Sequence, residues 1–384
     1  MISKALIAGA YHGKLREMVR MGVELTLILP RTWGKQVPEI FEATDYKINV
    51  VPCTFSGHNH FHFYHSRVDL LDFDLVHIDE DPWSLVTYQW MRMCVRHRKP
   101  ALFFTWQNIY KRYPPPFGHF EKYSYKHAVA GIAGNDEVRQ VLQKKNFSGP
   151  IAVIPQFGID PDFFRRIDVN DLRLKLGLQG KFVIGFVGRM VPGKGIDDLV
   201  RTLPLLPKDC ALLMLGDGPS RQEADRLALQ LAVADRVVWI NHVNSLKVPE
   251  YMNLLNALVL PSRTLPMGKI LPTGAVKEQF GRVLVEAMAC EIPVVGSSSG
   301  EISNVVGPGG LIFPEGDVPS LSRHLIYLHD NANEAAQMGI RGRARVLEKF
   351  THQRIARDTV DLYTGILSNS FALACMESNL ESVS

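Results

Sequence analysis

A chain of 384 residues is long enough for two domains, each with a core of its own. Its apolar share of 46% and charged share of 21% are those of a globular protein in water, and no apolar run approaches the length of a membrane span. A net charge of +4 suits an acidic ligand or an anionic membrane surface, but it is far too small to argue for nucleic acid as a partner, and no basic run or RNA-type aromatic motif stands out.

Ala5 to Ala8 reads as a buried strand, Gly9 to Gly13 as a turn, Lys14 to Met21 as a helix and Val23 to Leu29 as a second strand, a βαβ opening. Asn49 to Cys53, Asp74 to Ile78, Ala101 to Thr105, Val129 to Gly134 and Ile151 to Ile154 read as further strands, with a helix over Ser84 to His97. Short apolar strands alternating with helices predict a doubly wound α/β domain. Two prolines and a glycine between Pro155 and Phe164 break the pattern, and the charged segment to Gly180 reads as the join between domains.

A second alternation follows. Strands are predicted at Phe182 to Val187, Ala211 to Leu215, Arg236 to Ile240, Ala257 to Leu260, Pro293 to Gly296 and around Leu311. Helices are predicted over Gly195 to Leu206, Ser220 to Ala232, Pro249 to Asn256, Val283 to Ala289, Pro319 to Asp330, Asn333 to Lys349 and Gln353 to Ile366. From Ser368 the chain is small and polar around one apolar patch. Five dispersed cysteines (Cys53, Cys94, Cys210, Cys290, Cys375) with no Cys-x-x-Cys spacing suit buried thiols in a reducing compartment. The first ten residues read as a strand rather than a signal peptide, so the expected location is cytoplasmic, with the inner face of a membrane left open.

Three stretches carry chemistry. Gly188-Arg-Met-Val-Pro-Gly193-Lys194-Gly195 lies between a strand and a helix and nearly matches the phosphate loop of nucleotide hydrolases. The residue after Lys194 should be Ser or Thr to hold magnesium, and Gly195 stands there, which argues against ATP hydrolysis. What remains is a glycine loop, either a plain surface turn or a clamp in which Arg189 offers a planar fork and Lys194 a point charge to a pyrophosphate. Leu215-Gly216-Asp-Gly218-Pro219 is a second strand-to-helix turn, and no full Gly-x-Gly-x-x-Gly follows a strand in the first half.

The third stretch is Glu278-Gln-Phe280-Gly281-Arg282-Val283-Leu-Val-Glu286. Gly281 lets the backbone turn and approach a ligand, and the helix after it presents unpaired N–H groups, a seat for an anion. Were all nine residues helical, the two carboxylates would lie roughly 12 Å apart along the axis and about 80° apart around it. With Glu278 on the loop and Glu286 in the helix, one ligand with an anionic middle could meet a carboxylate at each end. A nucleotide sugar has that shape. The plainer reading is an amphipathic helix with a solvated face.

Together these stretches resemble the retaining GT-B glycosyltransferases of the large family 4 (glycosyl transferases group 1). The resemblance rests on Gly188-Arg189…Lys194-Gly195, Gly216-Asp-Gly218-Pro219 and Glu278…Glu286. Pro155-Gln-Phe-Gly158-Ile-Asp160, Val259-Leu-Pro261-Ser262 and Leu311-Ile-Phe-Pro314 support it. It is dense over 155–350 and loose before that. It implies a GT-B fold, α/β, with two Rossmann-like doubly wound domains facing across a cleft. The domains would be an acceptor-side unit over 1–160 with the helix at 351–367 packed back onto it, a nucleotide-sugar-binding unit over 172–350, and a tail at 368–384.

The activity implied is transfer of a sugar from a nucleoside-diphosphate sugar to the hydroxyl of a glycan or lipid-linked acceptor, with retention, without metal or other cofactor. The setting would be synthesis of cell-surface polysaccharide or glycolipid. In that scheme Arg189 and Lys194 neutralise the leaving diphosphate and Glu278 binds sugar hydroxyls. Backbone amides of Phe280, Gly281 and Arg282 hold donor hydroxyls and phosphate, and Glu286 binds the ribose. Gly188, Gly216, Gly218 and Val283 complete the donor-binding set. Base readout would come from Asn241 to Asn244 and the turn at 216–219. Fixed cations and helix-end dipoles suit the charge that builds on departing phosphates in a dry cleft.

The first half departs from the family pattern. Where a histidine commonly follows the strand ending in Thr105, Gln107 stands, which can hydrogen-bond but not titrate. His12, Lys14, Asp79 and Glu80 are the other acceptor-side candidates, Asp79 and Glu80 on what reads as a solvated loop. His58, His60 and His62 would share one face of a strand, with His65 beyond them, but no carboxylate or cysteine joins them in sequence as a metal set needs. A loop touching acceptor or partner is the alternative. Lys111-Arg112-Tyr-Pro-Pro-Pro-Phe117 is either a rigid loop or an edge for an anionic or lipid-linked acceptor. Two rival functions remain: a non-catalytic nucleotide-sugar-binding protein, and an epimerase or phosphorylase of the same fold, for which no acid/base or pyridoxal-lysine motif is visible.

Overall fold

Apolar runs too short for helices, each ended by a glycine or polar turn, leave the chain little choice but strands covered by helices on both faces. The computed structural model describes residues 1–39, 45–267 and 274–368. It divides into two units, Met1–Gly158 with the chain from His352 onward, and Ile159–Thr351.

In the first unit, strands β1 (Thr26–Pro30) and β2 (Lys47–Val51) pair in parallel, and β3 (Cys53–Thr54) and β4 (Phe63–Tyr64) form a short antiparallel hairpin. Strands β5 (Val76–Ile78), β6 (Ala101–Thr105), β7 (Ala130–Ala133) and β8 (Ile151–Val153) make a four-stranded parallel sheet. Ile2 bridges Ile28 on β1 and Ile78 on β5 and so joins the two parallel pieces. The helices are α1 (Gly13–Arg20), α2 (Leu85–Arg96), α3 (Phe117–His127) and α4 (Asp136–Lys144). Ser84 and Asn135 cap α2 and α4 by accepting the N–H of Thr87 and Val138. On the buried β6, Ala101 and Phe103 face a core of Trp90, Met91, Val138, Leu142 and Phe147, while Leu102 and Phe104 face the other side.

Two expectations fail here. Ala5 to Ala8 is not a strand: Ala5–Ile7 and Gly9–Tyr11 are 3₁₀ turns. The Ser3 hydroxyl accepts the N–H groups of Ala5 and Leu6, each at 3.2 Å, and offers the backbone a local partner in place of a sheet ladder. Nor do His58, His60 and His62 lie on a strand. Residues 55–62 form a turn in which His58 N–H donates to Phe55 O and His62 N–H to His58 O.

The second unit begins with α5 (Asn170–Lys175), then β9 (Phe182–Val187), α6 (Ile196–Thr202), β10 (Cys210–Leu215), α7 (Arg221–Gln230), β11 (Val237–Ile240), α8 (Val248–Met252) and β12 (Ala257–Leu260). The hairpin β13 (Leu265–Met267) and β14 (Gly274–Val276) precedes α9 (Arg282–Ala289), β15 (Val294–Ser297), α10 (Ile302–Val306), β16 (Gly310–Phe313), α11 (Val318–Asp330) and α12 (Ala332–Lys349). Six strands pair in parallel in the order β11-β10-β9-β12-β15-β16, the doubly wound order that reverses between β9 and β12. One core runs through it, from Phe186 and Met190 to Leu284, Met288, Phe313 and Val346.

Helix α13 (His352–Leu367) then returns to the first unit. Its Ile355 and Ile366 close over Leu102, Phe104 and Ile132, and its Ala356 packs with Leu15 and Leu27. A Cβ on Gly13 would fall 2.3 Å from the His352 ring, so glycine is what lets α1 and α13 approach. Cys94, Cys210 and Cys290 are free and buried and Cys53 is free and half-buried; Cys375 lies outside the described residues. No helix among the described residues is long and apolar enough to cross a membrane.

Candidate functional site

An open parallel sheet offers its ligand crevice at the carboxyl ends of the strands where the order reverses. In the second unit that point lies between β9 and β12, and all three motif stretches reach it. The loop after β9 and the turn after β10 join backbone to backbone. Gly188 N–H donates to Leu215 O (3.0 Å), Met190 N–H to Asp217 O (2.9 Å) and Ser220 N–H to Met190 O (2.9 Å). Gly216, at φ +134°, has Gly188 O only 2.0 Å from where a Cβ would stand, and Gly218 faces Met190 O in the same way. On the other side Arg263 N–H donates to Gly193 O (2.9 Å), and Gly195, at φ +60°, abuts Pro261 O from β12's loop. No side chain fits at either seam.

This framework sets the two cations differently. Arg189 is exposed and makes no ion pair among the described residues. Lys194 closes a 3₁₀ turn, Pro192–Lys194, and its Nζ lies 2.5 Å from Glu278 Oε2. The same carboxylate oxygen accepts the Ser262 hydroxyl at 2.8 Å. Glu278 O in turn accepts the N–H of Glu301 (3.2 Å), so the main chain as well as the side chain of Glu278 is held.

Gly281, at φ +76°, is the N-cap of α9, whose positive dipole end therefore opens three residues after Glu278. Phe280 is half-buried with its ring 5.6 Å from that of Phe350, edge to face. Val283 is half-buried on the first turn. Glu286 Oε1 pairs with Arg282 Nε at 2.9 Å, one turn earlier on α9. Burial raises the Glu286 carboxyl above its ordinary range, and Arg282 pulls it part of the way back. Glu278 thus sits on a loop and Glu286 inside a helix, with the helix end between them. Asn241 to Asn244 follow β11, the outermost strand, where the Arg221 guanidinium lies 5.5 Å over the Trp239 ring and bonds Asn241 Oδ1.

Ser262 is the residue that sequence reasoning passed over. It stood in a supporting motif, but nothing in its neighbours announces a bond to a carboxylate 16 residues on. Arg263 is another: it donates to the buried Asp198 (Nε to Oδ2, 2.9 Å) and braces the loop that carries Lys194.

The acceptor-side candidates lie in the first unit, and the structure corrects their setting. Asp79 and Glu80 are not on a solvated loop; each is 2% exposed. Asp79 Oδ2 accepts Ser3 Oγ (2.7 Å) and Gln156 Nε2 (3.0 Å), and burial raises its carboxyl despite Lys14 nearby. Burial alone would raise Glu80 as well, but Lys4 and His62 outweigh it and hold the carboxyl at about 2. Glu80 is therefore the carboxylate that joins the histidine stretch, 3.6 Å from His62 Nε2, which sequence spacing did not reveal. His12 is buried between Leu6 O (2.7 Å from Nε2) and the Tyr46 hydroxyl (2.8 Å from Nδ1). Lys14 is 2% exposed, and desolvation lowers its ammonium. Gln107 is buried with Oε1 3.2 Å from Lys145 Nζ. All five are buried within the first unit, and none presents a solvent-facing acid or base.

Residues 168–345 match the family described as glycosyl transferases group 1. The chain is 30% identical over 215 residues to the GDP-mannose-dependent alpha-(1-6)-phosphatidylinositol monomannoside mannosyltransferase of Mycolicibacterium smegmatis, a match covering 55% of this chain and 53% of that protein. The chain spans about half the length of the curated relatives it matches. Among solved structures it is similar to a glycosyltransferase from Rickettsia africae, with a TM-score of 0.71, 16% identity and coverage of 96% of this chain and 98% of that one. It is also similar to HepE of Anabaena in complex with UDP and glucose, with a TM-score of 0.68, 17% identity and coverage of 95% and 98%. The fold is GT-B, with a Rossmann-like parallel sheet in each unit.

Proposed function

We propose that this chain is a glycosyltransferase that moves a sugar from a nucleoside-diphosphate sugar to a hydroxyl acceptor, in the synthesis of polysaccharide or glycolipid. One observation supports the reading: at the strand reversal of the second unit, Lys194 of the glycine loop pairs with Glu278, and the helix that carries Glu286 opens at Gly281, three residues further on. Breaking the bond between the anomeric carbon and the leaving oxygen leaves the electron pair on the diphosphate. Arg189, Lys194 and the N-terminus of α9 offer positive charge to that oxygen and its neighbours. Glu278 takes sugar hydroxyls and Glu286 the ribose. The acceptor oxygen then bonds to the anomeric carbon and gives up its proton to the departing diphosphate oxygen.

Lys194, held by Glu278, and the exposed Arg189 take the part a divalent ion plays in other transferases, so the reading includes metal independence. Retention of the anomeric configuration rests on the family resemblance. The mannosyltransferase relative acts with a GDP sugar and the HepE neighbour holds UDP, which supports a nucleoside-diphosphate donor of either base. The phosphatidylinositol mannoside named for that relative supports a glycolipid or glycan acceptor.

Ligand-dependent unfolding tests the donor half. A nucleoside diphosphate at a hundred times its Kd should stabilise the protein by about 2.7 kcal/mol. Failure of both UDP and GDP to raise the Tm would reject the reading.

A further inference from the structure

The second unit carries a cluster of metal-binding side chains at the end of its sheet away from the donor crevice. Cys210 opens β10 and pairs in register with Phe182, the first residue of β9. Asp209 precedes it, and His329 stands on the last turn of α11. The crevice lies at the other end of these strands, about 17 Å off along β10.

One ligand atom from each of Asp209, Cys210 and His329 lies within 4.8 Å of the other two. His329 Nε2 is 3.0 Å from Asp209 Oδ2, and its Nδ1 is 2.6 Å from Asp330 Oδ1. The Phe182 ring meets the imidazole edge to face at 5.4 Å. The main chain beneath is fixed as well. Phe182 N–H donates to Asp209 O (3.0 Å) and Cys210 N–H to Pro207 O (3.0 Å), while the Arg236 guanidinium donates to the carbonyls of Cys210, Leu203 and Pro207.

An ion pair alone leaves two features without a cause. Cys210 is 1% exposed, and its thiol, turned to the cluster, makes no hydrogen bond among the described residues. The second feature is the imidazole. A neutral ring carries one N–H, and here both nitrogens face carboxylates. With Nδ1–H given to Asp330, the Nε2 lone pair points at the Asp209 oxygen, and the two need positive charge between them. A proton there would serve Asp209 and leave the sulfur unused; a metal ion serves all three. A carboxylate that orients a ligating histidine through its other nitrogen is the usual outer shell of a zinc site.

The donor set also selects the ion. Zinc takes nitrogen, sulfur and oxygen together, whereas magnesium and calcium want oxygen. A tetrahedral zinc ion holds its ligand atoms about 3.3–3.6 Å apart, so the imidazole and carboxylate stand close to that spacing and the thiol needs a shift of about 1.2 Å at most. The side chains of Asp209 and His329 are 51% and 22% exposed, which lets an ion enter from water. Two carboxylates and a thiolate outweigh the nearby Lys181 and Arg236.

We propose that Asp209, Cys210 and His329 form a zinc site, with Asp330 positioning the histidine and water in the fourth place. The thiol gives its proton to solvent as the sulfur bonds the ion. Zinc ties the head of β10 to the tail of α11, 120 residues on in the chain, and takes no part at the donor crevice.

Full-length protein stripped with EDTA is titrated with zinc and with cobalt(II), and UDP and GDP binding are measured on the stripped and loaded forms. One zinc per chain should bind in the micromolar range or tighter and raise the Tm. Cobalt should show the visible bands of a tetrahedral ion and a thiolate-to-metal charge-transfer band in the near ultraviolet. Asp330→Asn should weaken zinc about 10- to 100-fold, and His329→Gln at least as much. Cys210→Ser should abolish the charge-transfer band, and the partly exposed His329→Gln keeps the test decisive if that buried change prevents folding. No zinc binding below millimolar concentration, a cobalt spectrum without the charge-transfer band, or undiminished affinity in His329→Gln overturns the site. So does a zinc requirement for nucleotide binding, which would put the ion at the crevice. Loss of nucleotide binding in both forms, with zinc still bound, overturns the transferase reading and leaves the zinc site standing.

Discussion

Lys194 and Glu278, 84 residues apart in the chain, meet at 2.5 Å beside the reversal of the second unit's sheet. The pair holds the lysine side chain over the crevice before any ligand arrives, and the Ser262 hydroxyl on the same oxygen fixes the carboxylate. A hydrogen bond to a charged group contributes about 1.5–3 kcal/mol. Lys194→Ala is therefore expected to weaken nucleoside-diphosphate binding roughly 10- to 100-fold by calorimetric titration. Glu278→Gln keeps the shape and loses the charge. It should spare the nucleotide and cut sugar transfer or donor hydrolysis, and undiminished turnover in both variants would reject the assigned roles.

The seam between the loops after β9 and β10 makes a sharp prediction for stability. Gly216→Ala places a Cβ 2.0 Å from a main-chain oxygen at φ +134°, where neither partner is a movable side chain. A cost on the order of 2–4 kcal/mol is expected from thermal unfolding. Gly193→Ala, in the same loop, meets nothing closer than Leu265 Cδ1 at 3.4 Å. It should change the Tm by little, and equal losses in the two variants would contradict this account.

Glu80 predicts the acid limb of the first unit. Its carboxyl is held at about 2 in the folded state against an ordinary value of 4.5. A depressed acid stabilises the fold in full above its unfolded pKa and loses that contribution as pH falls through the folded value. The window is thus pH 4.5 down to about 2, and the contribution is on the order of 3 kcal/mol. Glu80→Gln should be less stable than wild type at pH 7, and the gap should close below pH 4. A gap that stays constant with pH would show that Glu80 acts by packing alone.

Tyr363 on α13 donates or accepts across 2.5 Å to His77 Nδ1 on β5. Burial keeps His77 well below the usual imidazole range, so the ring is neutral there. Tyr363→Phe leaves a buried nitrogen without its partner and should cost about 1–3 kcal/mol. Amide exchange along α13 should rise more than exchange in α4 if the bond holds the helix to the sheet.

Much of the architecture was legible because strands buried on both faces read as unbroken apolar runs. Phe182 to Val187, Ala101 to Thr105 and Ala257 to Leu260 have the bounds expected of them. Elements that owe their form to tertiary partners were not. Helix α3 starts after three prolines, α10 has only five residues, and β13 and β14 pair over only three residues each. Ala5 to Ala8 looks like a strand until Ser3 and His12 are seen to hold its polar groups. The donor motifs could be found because glycine, lysine and glutamate stood at telling spacings. Ser262, Arg263 and the inward turn of Asp79 and Glu80 depend on which loops meet, and no local pattern encodes that.

The first unit is assembled from both ends of the chain, with Ile159 N–H donating to Phe350 O at 2.9 Å where the intervening segment leaves and rejoins. On the ribosome this imposes an order. The sheet begun by the earliest residues keeps Leu102, Phe104 and Ile132 uncovered until Ile355 and Ile366 have been translated, whereas every residue of the inserted unit is available before then. The part synthesised first is the last to finish folding, so a nascent chain stalled near residue 351 would need a chaperone at its amino-terminal half and not at its carboxyl-terminal one.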